Sequence, residues 1–253
     1  MISPRQSLGQ NFLRDPNTVR RIADAVEAAP GQGVVEIGPG TGALTSELLA
    51  RYARLVALEV DERAIAHLRE TLPALDVRHQ DVLEVRWNAL AEEVGGPLAV
   101  VGNLPYYITS PILFGLLDAR AHVTHAVVMM QREVAERLVA APRTKAYGIL
   151  SVAFQRYADL KLLFRVPPTV FYPRPKVESA VVRLRFRPDA PLPSPFEDRL
   201  RSVVRAAFNQ RRKMLRSALS ALGPVPEPWA TKRAEELTPN DFEALVRALP
   251  ART

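Results

Sequence analysis

The chain of 253 residues has 47% hydrophobic content and a net charge of +7, and it is long enough for one full α/β core and a small second domain. It contains no cysteine, and its four histidines show no metal-ligand spacing, which excludes disulfides and thiolate zinc sites and predicts no bound metal. No apolar run approaches the roughly 20 residues that cross a bilayer, and the amino terminus lacks a signal-peptide core, so we expect a cytoplasmic protein without membrane contact.

The first predicted helix follows an unexplained apolar segment. Asp15 is a favourable N-cap, and Pro16 suits the first helical position. Asn11, Phe12 and Leu13 precede that helix and do not belong to its apolar face. They either dock the terminus on the core or close over a bound cofactor.

The stretch 34 to 45, VVEIGPGTGALT, predicts a strand, a glycine-rich turn and a helix that bind a nucleotide. Gly38, Gly40 and Gly42 permit positive φ and close approach of a ligand, and the N–H groups opening the next helix point towards it. Their G-x-G-x-G spacing differs from the G-x-G-x-x-G of a dinucleotide turn, which disfavours a pyrophosphate. Glu36, on the strand before the turn, would repel a phosphate and attract a cation.

Two more acids follow predicted strands. Glu59 ends the apolar run 55 to 60 and is well placed to accept both hydroxyls of a ribose. Asp81 follows a third strand and could accept the adenine amino group. Each acid alone is more often a solvated strand end, but three at successive strand ends favour a binding site. A cationic ligand with a ribose and no phosphates suggests S-adenosylmethionine.

Alternating strands and helices continue to about residue 131. Such alternation predicts right-handed crossovers and a parallel sheet, with ligands at the carboxyl ends of its strands. Two later apolar runs, 150 to 157 and 179 to 186, read as further strands, which gives a mostly parallel, seven-stranded α/β sheet. The first five strands are expected near 33 to 37, 55 to 60, 76 to 80, 98 to 102 and 125 to 130.

The fourth strand runs into Asn103, Leu104, Pro105 and Tyr106. An exocyclic adenine amine is a poor nucleophile because its lone pair is delocalised into the ring. Hydrogen bonds from N6 to the Asn103 side-chain carbonyl and the Leu104 main-chain carbonyl favour a pyramidal amine, while Tyr106 offers a stacking face. Catalysis would then rest on positioning for direct in-line methyl transfer. An Asx-Pro turn with a core tyrosine is the structural alternative.

A proline-rich loop, 166 to 177, presents a further aromatic candidate. Its sequence VPPTVFYPRPKV contains four prolines between 167 and 175, which keep the segment extended. Phe171 is a candidate for the opposite face of a base that has been flipped out of its stack. Core packing is the competing interpretation of this side chain.

The positive charge is concentrated near the carboxyl end. Residues 183 to 217 hold ten Lys or Arg and three acids, so the rest of the chain balances to zero. Clustered cations of this kind bind polyanions by releasing counterions, although a solvated helix face is the alternative. We therefore divide the chain into a catalytic domain, 1 to 187, and a helical RNA-binding domain, 188 to 253. The predicted contacts to the RNA backbone are Arg211, Arg212, Lys213 and Arg216.

The chain resembles the KsgA/RsmA family of small-subunit ribosomal RNA adenine dimethyltransferases over nearly its whole length. The resemblance is carried by LGQNFL at 8 to 13, EIGPGTGALT at 36 to 45, GNLPYYITSP at 102 to 111 and AFNQRRKMLRSAL at 207 to 219. It implies a Rossmann-like class I methyltransferase fold with a small carboxyl-terminal helical domain. The predicted cofactor site comprises Asn11, Leu13, Glu36, Gly38, Gly40, Gly42, Glu59, Asp81, Val82 and Asn103. The predicted catalytic set comprises Asn103, Leu104, Pro105, Tyr106 and Phe171.

The same resemblance implies a reaction and a partner. Family members transfer two methyl groups to N6 of each of two adjacent adenosines in the 3′-terminal hairpin loop of 16S rRNA, late in assembly of the 30S subunit, and release S-adenosylhomocysteine. Nothing in the sequence requires more than a monomer. One alternative is the related large-subunit rRNA methyltransferase group that confers macrolide resistance, and another is a nucleic-acid-binding factor that keeps the fold without catalysis.

Overall fold

A computed structural model describes residues 2–5, 8–187 and 194–250, and the chain forms two compact units. The first unit comprises Met1–Ala135 and Lys161–Pro188, and the second comprises Glu136–Leu160 and Asp189–Thr253. This division differs from the predicted one at 187/188, because the segment from 136 to 160 packs with the carboxyl-terminal helices. Most of the predicted linker, 188 to 195, lies outside the described residues.

Within the described ranges, nine strands form two sheets. The two-stranded sheet pairs the first and eighth strands antiparallel, and the other strands form a seven-stranded sheet, as predicted. The strands are β1 (Phe12–Leu13), β2 (Val34–Ile37), β3 (Leu55–Glu59), β4 (Asp76–His79), β5 (Leu98–Asn103), β6 (Val123–Gln131), β7 (Ala158–Val166), β8 (Phe171–Tyr172) and β9 (Ser179–Phe186).

The large sheet has the order β4-β3-β2-β5-β6-β9-β7. Strands β4, β3, β2, β5 and β6 are mutually parallel, and β9 pairs antiparallel with β6. Every residue of β2 and β3 is buried, including Glu36 and Glu59, and the other residues of both strands are apolar because a parallel sheet is covered on both faces. The strand order reverses between β2 and β5, and ligands of open α/β sheets bind outside the carboxyl ends of strands at such a point.

Ten α-helices accompany these strands in the described residues. The predicted start of the first helix is confirmed, because the Asp15 carboxylate accepts a hydrogen bond from the Thr18 N–H at 2.7 Å. The helices are α1 (Pro16–Ala25), α2 (Ala43–Leu49), α3 (Glu62–Thr71), α4 (Trp87–Val94), α5 (Thr109–Asp118), α6 (Arg132–Val139), α7 (Ile149–Gln155), α8 (Pro195–Asn209), α9 (Leu215–Ala218) and α10 (Pro239–Ala248).

The predicted strand at 150 to 157 is wrong. That run forms helix α7, and the strand is the following segment, β7. A short apolar run does not distinguish a buried helix from a buried strand by its periodicity. Packing and local hydrogen bonds stabilise the helix. The Ser151 hydroxyl accepts from the Gly148 N–H at 3.0 Å and donates to the Arg137 carbonyl.

Each unit has its own apolar core. The core of the first unit lies between the sheet and α1, α2 and α3. The core of the second unit is centred on Tyr147, Phe208 and Phe242, whose neighbouring ring centroids are 6.0 and 5.9 Å apart. The Tyr147 hydroxyl donates to the Leu237 carbonyl at 2.8 Å, so this buried ring also satisfies its polar end. Within the described ranges, no helix combines the length and apolarity that a bilayer crossing needs.

Candidate active site

A pocket opens in the first unit, where β2, β3 and β5 end. The amino-terminal segment before α1 forms another part of its wall. Since this is the point at which the strand order reverses, the topology itself creates the crevice. Twelve of the fourteen predicted cofactor-binding and catalytic residues line it: Asn11, Leu13, Glu36, Gly38, Gly40, Glu59, Asp81, Val82, Asn103, Leu104, Pro105 and Tyr106.

The glycine-rich turn forms one wall of the pocket. Gly38 has a φ of 67° and donates its N–H to the Leu58 carbonyl at 2.9 Å. Gly40 has a φ of 57°, and a Cβ atom there would lie 3.0 Å from the Phe12 ring. Both positions therefore favour glycine, the first through its backbone conformation and the second also through close packing.

Gly42 does not line the pocket. It has a φ of 84° and precedes α2, and a Cβ atom built on it would lie 2.9 Å from Leu68 Cδ2. Its contribution is to let α2 begin and pack closely on α3. The structure therefore gives this predicted cofactor-binding residue an indirect role, which sequence could not separate from that of its two neighbouring glycines.

Glu59 is held in place by main-chain donors. The side chain is 6% exposed, and its Oε1 accepts from the Val60 and Asp61 N–H groups at 2.8 and 3.0 Å. Its Oε2 accepts from the Gly40 N–H at 3.2 Å. Three fixed donors orient the carboxylate before any ligand arrives, which lowers the entropy lost on binding.

Glu36 is a buried acid with an unused acceptor. Its side chain is 1% exposed, and Oε2 has no hydrogen-bond partner among the described residues. Burial raises the pKa of Glu36 to about 8; the Thr45 hydroxyl opposes this rise, and the charge of Glu59 adds to it. The carboxyl is therefore mainly protonated at neutral pH, and a nearby cation would favour its ionised form.

Asp81 lies just after β4 and is half-buried. It caps a short 3₁₀ helix, Val82–Glu84, and its Oδ1 accepts from the Leu83 N–H at 2.9 Å. The cap fixes the direction of the carboxylate beside the pocket. In the part of the chain that the structure describes, Oδ2 receives no hydrogen bond and can accept one from a ligand.

Asn103 and Leu104 leave β5 in a fixed arrangement. The Asn103 Nδ2 donates to the Asn11 carbonyl at 2.9 Å, so the side-chain amide has its nitrogen turned to the amino-terminal segment. The Leu104 N–H donates to the Met129 carbonyl at 2.9 Å, which continues the pairing of β5 with β6. The two oxygens predicted to bind an amine, the Asn103 side-chain carbonyl and the Leu104 main-chain carbonyl, therefore belong to residues that hydrogen bonds hold in place.

Tyr106 is anchored through its hydroxyl, which lies 2.7 Å from Ser179 Oγ on β9. Ser179 is fully buried, and burial raises the pKa of the Tyr106 phenol. Before it, the Pro105 carbonyl accepts from the Thr109 hydroxyl at 2.9 Å. These bonds orient the ring at the pocket wall. The structural alternative, an Asx-Pro turn, required a tyrosine in the core.

Phe171 does not line the pocket. It is 5% exposed, belongs to the core cluster of the first unit and pairs with Leu13 in the β1–β8 sheet. The structure therefore favours core packing over a ready stacking face for this predicted catalytic residue. Its neighbour Tyr172 is exposed, and the Arg14 guanidinium carbon lies 4.0 Å from the Tyr172 ring centroid.

The amino-terminal segment contributes Phe12, which the sequence singled out only as docking on the core or closing over a cofactor, and three pocket residues that it did not single out, Leu8, Gly9 and Gln10. Gln10 Nε2 donates to Asp61 Oδ2 at 3.0 Å. Asp61 also receives two bonds from the Arg63 guanidinium, which lowers the pKa of Asp61 to about 2. The motif LGQNFL was the available signal, but a bond spanning 51 residues cannot be read from it.

The four predicted RNA-binding residues lie in the second unit, and three of them, Arg212, Lys213 and Arg216, are exposed. Arg211 differs. Its Nε donates to Glu235 Oε2 at 2.7 Å, and its two terminal nitrogens donate to the carbonyls of Lys145 and Thr144 at 2.8 and 2.9 Å. The guanidinium of Arg211 is therefore occupied within the unit.

Among the described residues, no cluster of three or more His, Cys, Asp or Glu could hold a metal ion.

Comparison with known proteins agrees with this geometry. The family model for ribosomal RNA adenine dimethylase matches residues 1–242. A protein of Salinibacter ruber named ribosomal RNA small subunit methyltransferase A is 56% identical to this chain, with 98% of this chain and 86% of that protein covered. A protein of the same name from Prosthecochloris aestuarii is 46% identical, with 96% and 93% covered.

Two solved structures have a similar fold. A dimethyladenosine transferase from Plasmodium falciparum is 26% identical with a TM-score of 0.78, and the match covers 92% of this chain and 95% of that one. The 23S rRNA methyltransferase ErmE is 30% identical with a TM-score of 0.71, over 94% of this chain and 99% of that one. The predicted α/β fold with a mostly parallel seven-stranded sheet is confirmed.

Proposed function

The chain belongs to the ribosomal RNA adenine dimethylase family, and on that premise we propose that it transfers methyl groups from S-adenosylmethionine to N6 of two adjacent adenosines in the 3′-terminal hairpin loop of 16S rRNA. The observation that carries this proposal is one pocket lined both by the acids of β2 and β3 and by the Asn103–Tyr106 segment. A cofactor and an amine held by these two groups of residues would meet in the same crevice.

The residues of the pocket fit S-adenosylmethionine. Gly38 and Gly40 leave the backbone open, Glu59 offers a fixed carboxylate for a ribose, and Asp81 keeps a carboxylate oxygen for an adenine amine. The orphaned oxygen of Glu36 is suited to a cation near the glycine turn. When bound, S-adenosylmethionine supplies a methyl group on a sulfonium, and S-adenosylhomocysteine is the product.

The chain's own part in the reaction is to position and polarise the amine. The Asn103 side-chain carbonyl and the Leu104 main-chain carbonyl accept hydrogen bonds from the N6 amine. These bonds keep the nitrogen lone pair directed out of the adenine plane. Tyr106, fixed by Ser179, gives the base a stacking face. Positioning of this kind and preorganised dipoles are sufficient for an in-line transfer, so no covalent enzyme intermediate is required.

Small-subunit RNA is the substrate that the relatives' names support, although the 23S enzyme ErmE shares the fold. We further propose that the chain acts as a monomer in the cytoplasm on the 30S subunit or its late precursor. The exposed cations Arg212, Lys213 and Arg216 of the second unit would contact the RNA backbone. The AFNQRRKMLRSAL segment that carries them supports the assembly family over the resistance group.

Labelled methyl transfer to three substrates tests this proposal. The substrates are undermethylated small subunits, naked 16S rRNA and large-subunit rRNA, and the product nucleoside is identified in each. We expect N6,N6-dimethyladenosine on the small subunits. Label on large-subunit RNA instead would indicate the resistance reaction, and cofactor binding without transfer to any of the three would indicate a binding factor.

A further inference from the structure

We infer that Tyr107 is a substrate-binding residue whose ring stacks on the nucleobase next to the adenosine in the pocket. This inference rests on the proposed function, because it concerns the second of the two adjacent adenosines. The residue is not part of the Asn103–Tyr106 segment to which the amine-binding role was assigned. It lies one position beyond that segment and lines the same pocket.

The Tyr107 ring faces solvent at the pocket. It is 61% exposed, the highest value among the exposed large apolar and aromatic side chains of the described residues. In that part of the chain Tyr172 is the only other exposed ring of a Phe, Tyr or Trp, and the Arg14 guanidinium already stacks on it. An exposed ring at a ligand pocket loses water from its face when a flat ligand covers it, which favours stacking.

The backbone holds this ring in place. Tyr107 is in a single-turn 3₁₀ helix, Tyr106–Ile108, and the Ile108 N–H donates to the Pro105 carbonyl at 3.2 Å. On one side the ring packs against Gly9, where an added Cβ would lie 3.0 Å from Tyr107 Cδ1 and where φ is 60°. The amino-terminal segment thus supports the ring without covering it, so that little conformational entropy is lost when a base stacks.

Tyr106 and Tyr107 are consecutive but differ in their surroundings. The Tyr106 hydroxyl is tied to the buried Ser179, whereas Tyr107 is open to solvent. A ring fixed in the wall suits the base that enters the pocket, and an exposed ring beside it suits a base that stays outside. Because the two substrate adenosines are adjacent in the RNA, one is the neighbour whenever the other is the target. The inferred contact is therefore to the second adenosine when it lies on the Tyr107 side of the adenosine in the pocket.

Steady-state methylation of undermethylated small subunits tests the inference, with Tyr107→Leu compared with Tyr107→Phe as the matched control. Removing one base–aromatic stack should raise KM for the subunit by about 5- to 150-fold in Tyr107→Leu, since stacking contributes roughly 1–3 kcal/mol per base. Tyr107→Phe keeps the ring and should stay within about twofold of the wild type. The loss should fall mainly on KM and not on kcat at saturating subunit, because the inferred stack contributes to binding of the RNA.

A second substrate identifies the base involved. In small subunits reconstituted with one of the two adenosines replaced by uridine, the neighbour is a poorer stacking partner, so the ratio of KM between Tyr107→Leu and wild type should shrink. An unchanged ratio, an unchanged KM in Tyr107→Leu, or an equal loss in Tyr107→Phe would each overturn the inference. Failure of the proposed function is distinguishable, because the wild-type protein itself would then not methylate small subunits.

Discussion

Glu36 shows how one buried carboxyl couples the pocket to pH. Its pKa is raised to about 8 by burial, with the Thr45 hydroxyl opposing and the Glu59 charge adding to the rise. A carboxyl of raised native pKa binds more protons in the folded than in the unfolded state between about pH 4.5 and 8. Its contribution to the free energy of unfolding is present below this window and is lost as pH rises through it.

Glu36→Gln should therefore flatten the pH dependence of stability. We expect the free energy of unfolding of the wild type to fall by a few kcal/mol more than that of the variant between pH 5 and pH 8.5. Urea unfolding at both pH values measures the difference. Identical slopes in the two proteins would contradict the raised pKa.

Because a bound cation favours ionised Glu36, cofactor binding at pH 7 should also release a proton, which calorimetry in buffers of different ionisation enthalpy detects.

Asn103 links the cofactor side of the pocket to the amine side. Its amide nitrogen bonds to the Asn11 carbonyl, and its carbonyl oxygen is the proposed acceptor for N6. Asn103→Ala should lower kcat for methyl transfer by about 100-fold or more, the usual cost of losing a preorganised polar group at a reacting centre. Sedimentation with small subunits should show that particle binding persists. Substantial residual methylation in this variant would remove the assigned role.

At the scale of elements, the amino-terminal segment is a wall of the pocket, anchored far along the chain. Gln10 bonds to Asp61, just before α3, and β1 pairs with β8. Gln10→Ala should weaken S-adenosylmethionine binding by about fivefold, because one net hydrogen bond of about 1 kcal/mol that orders the segment is lost. The kcat of Gln10→Ala at saturating cofactor should equal that of the wild type.

Gln32→Ala is the matched control for this change. Gln32 also makes long-range side-chain bonds, to the Pro97 carbonyl and the Thr124 hydroxyl, but it does not line the pocket. Calorimetric titration of both variants should therefore show weaker cofactor binding only in Gln10→Ala. Equal affinities in the two proteins would mean that the Gln10–Asp61 bond does not support the site.

The loop between α6 and α7 depends on Arg211. The guanidinium bonds to Glu235 and to the carbonyls of Thr144 and Lys145, so it joins this loop to the end of the second unit. Arg211→Gln should lower the free energy of unfolding of that unit by about 1 kcal/mol, the usual net contribution of hydrogen bonds at a position that is only partly buried. Arg212→Gln, at an exposed position, should change stability by less than about 0.5 kcal/mol. Urea unfolding of both variants measures the contrast, and equal stabilities would contradict it.

For the whole molecule, the location of the charge matters more than its total. The net charge of +7 equals the surplus of residues 183 to 217. We expect Arg212→Glu, Lys213→Glu and Arg216→Glu together to weaken RNA binding and to reduce the slope of log K against log salt by roughly 2–3, or about 0.7–0.9 for each lost phosphate contact. Filter binding over a range of salt concentrations provides this slope.

Arg212→Lys combined with Arg216→Lys is the matched control for the charge reversal. Lysine keeps the charge that releases counterions, so this variant should retain the wild-type slope. A wild-type slope in the reversed variant as well would mean that RNA binds elsewhere. Arg211 is left out of both variants because its loss is expected to act on stability.

The sequence by itself determined the local chemistry. The places of Gly38 and Gly40, of the acids of β2 and β3 and of the Asn103–Tyr106 segment beside one pocket could be predicted, because a strand, a tight turn and the residue that follows them are short-range patterns. Parallel strands then bring their carboxyl ends to one edge, so that local patterns converge on one pocket. The fold class followed from the same alternation.

Only the tertiary structure decided which predicted residues were free to act. Phe171 is covered by the core, Arg211 is engaged by Glu235, and the run from 150 to 157 folds as a helix of the second unit. The exposed face of Tyr107 and the Gln10–Asp61 bond were likewise invisible in the sequence. These outcomes depend on contacts between residues distant along the chain, and composition and periodicity carry no information about which distant group will cover or pair with a given side chain.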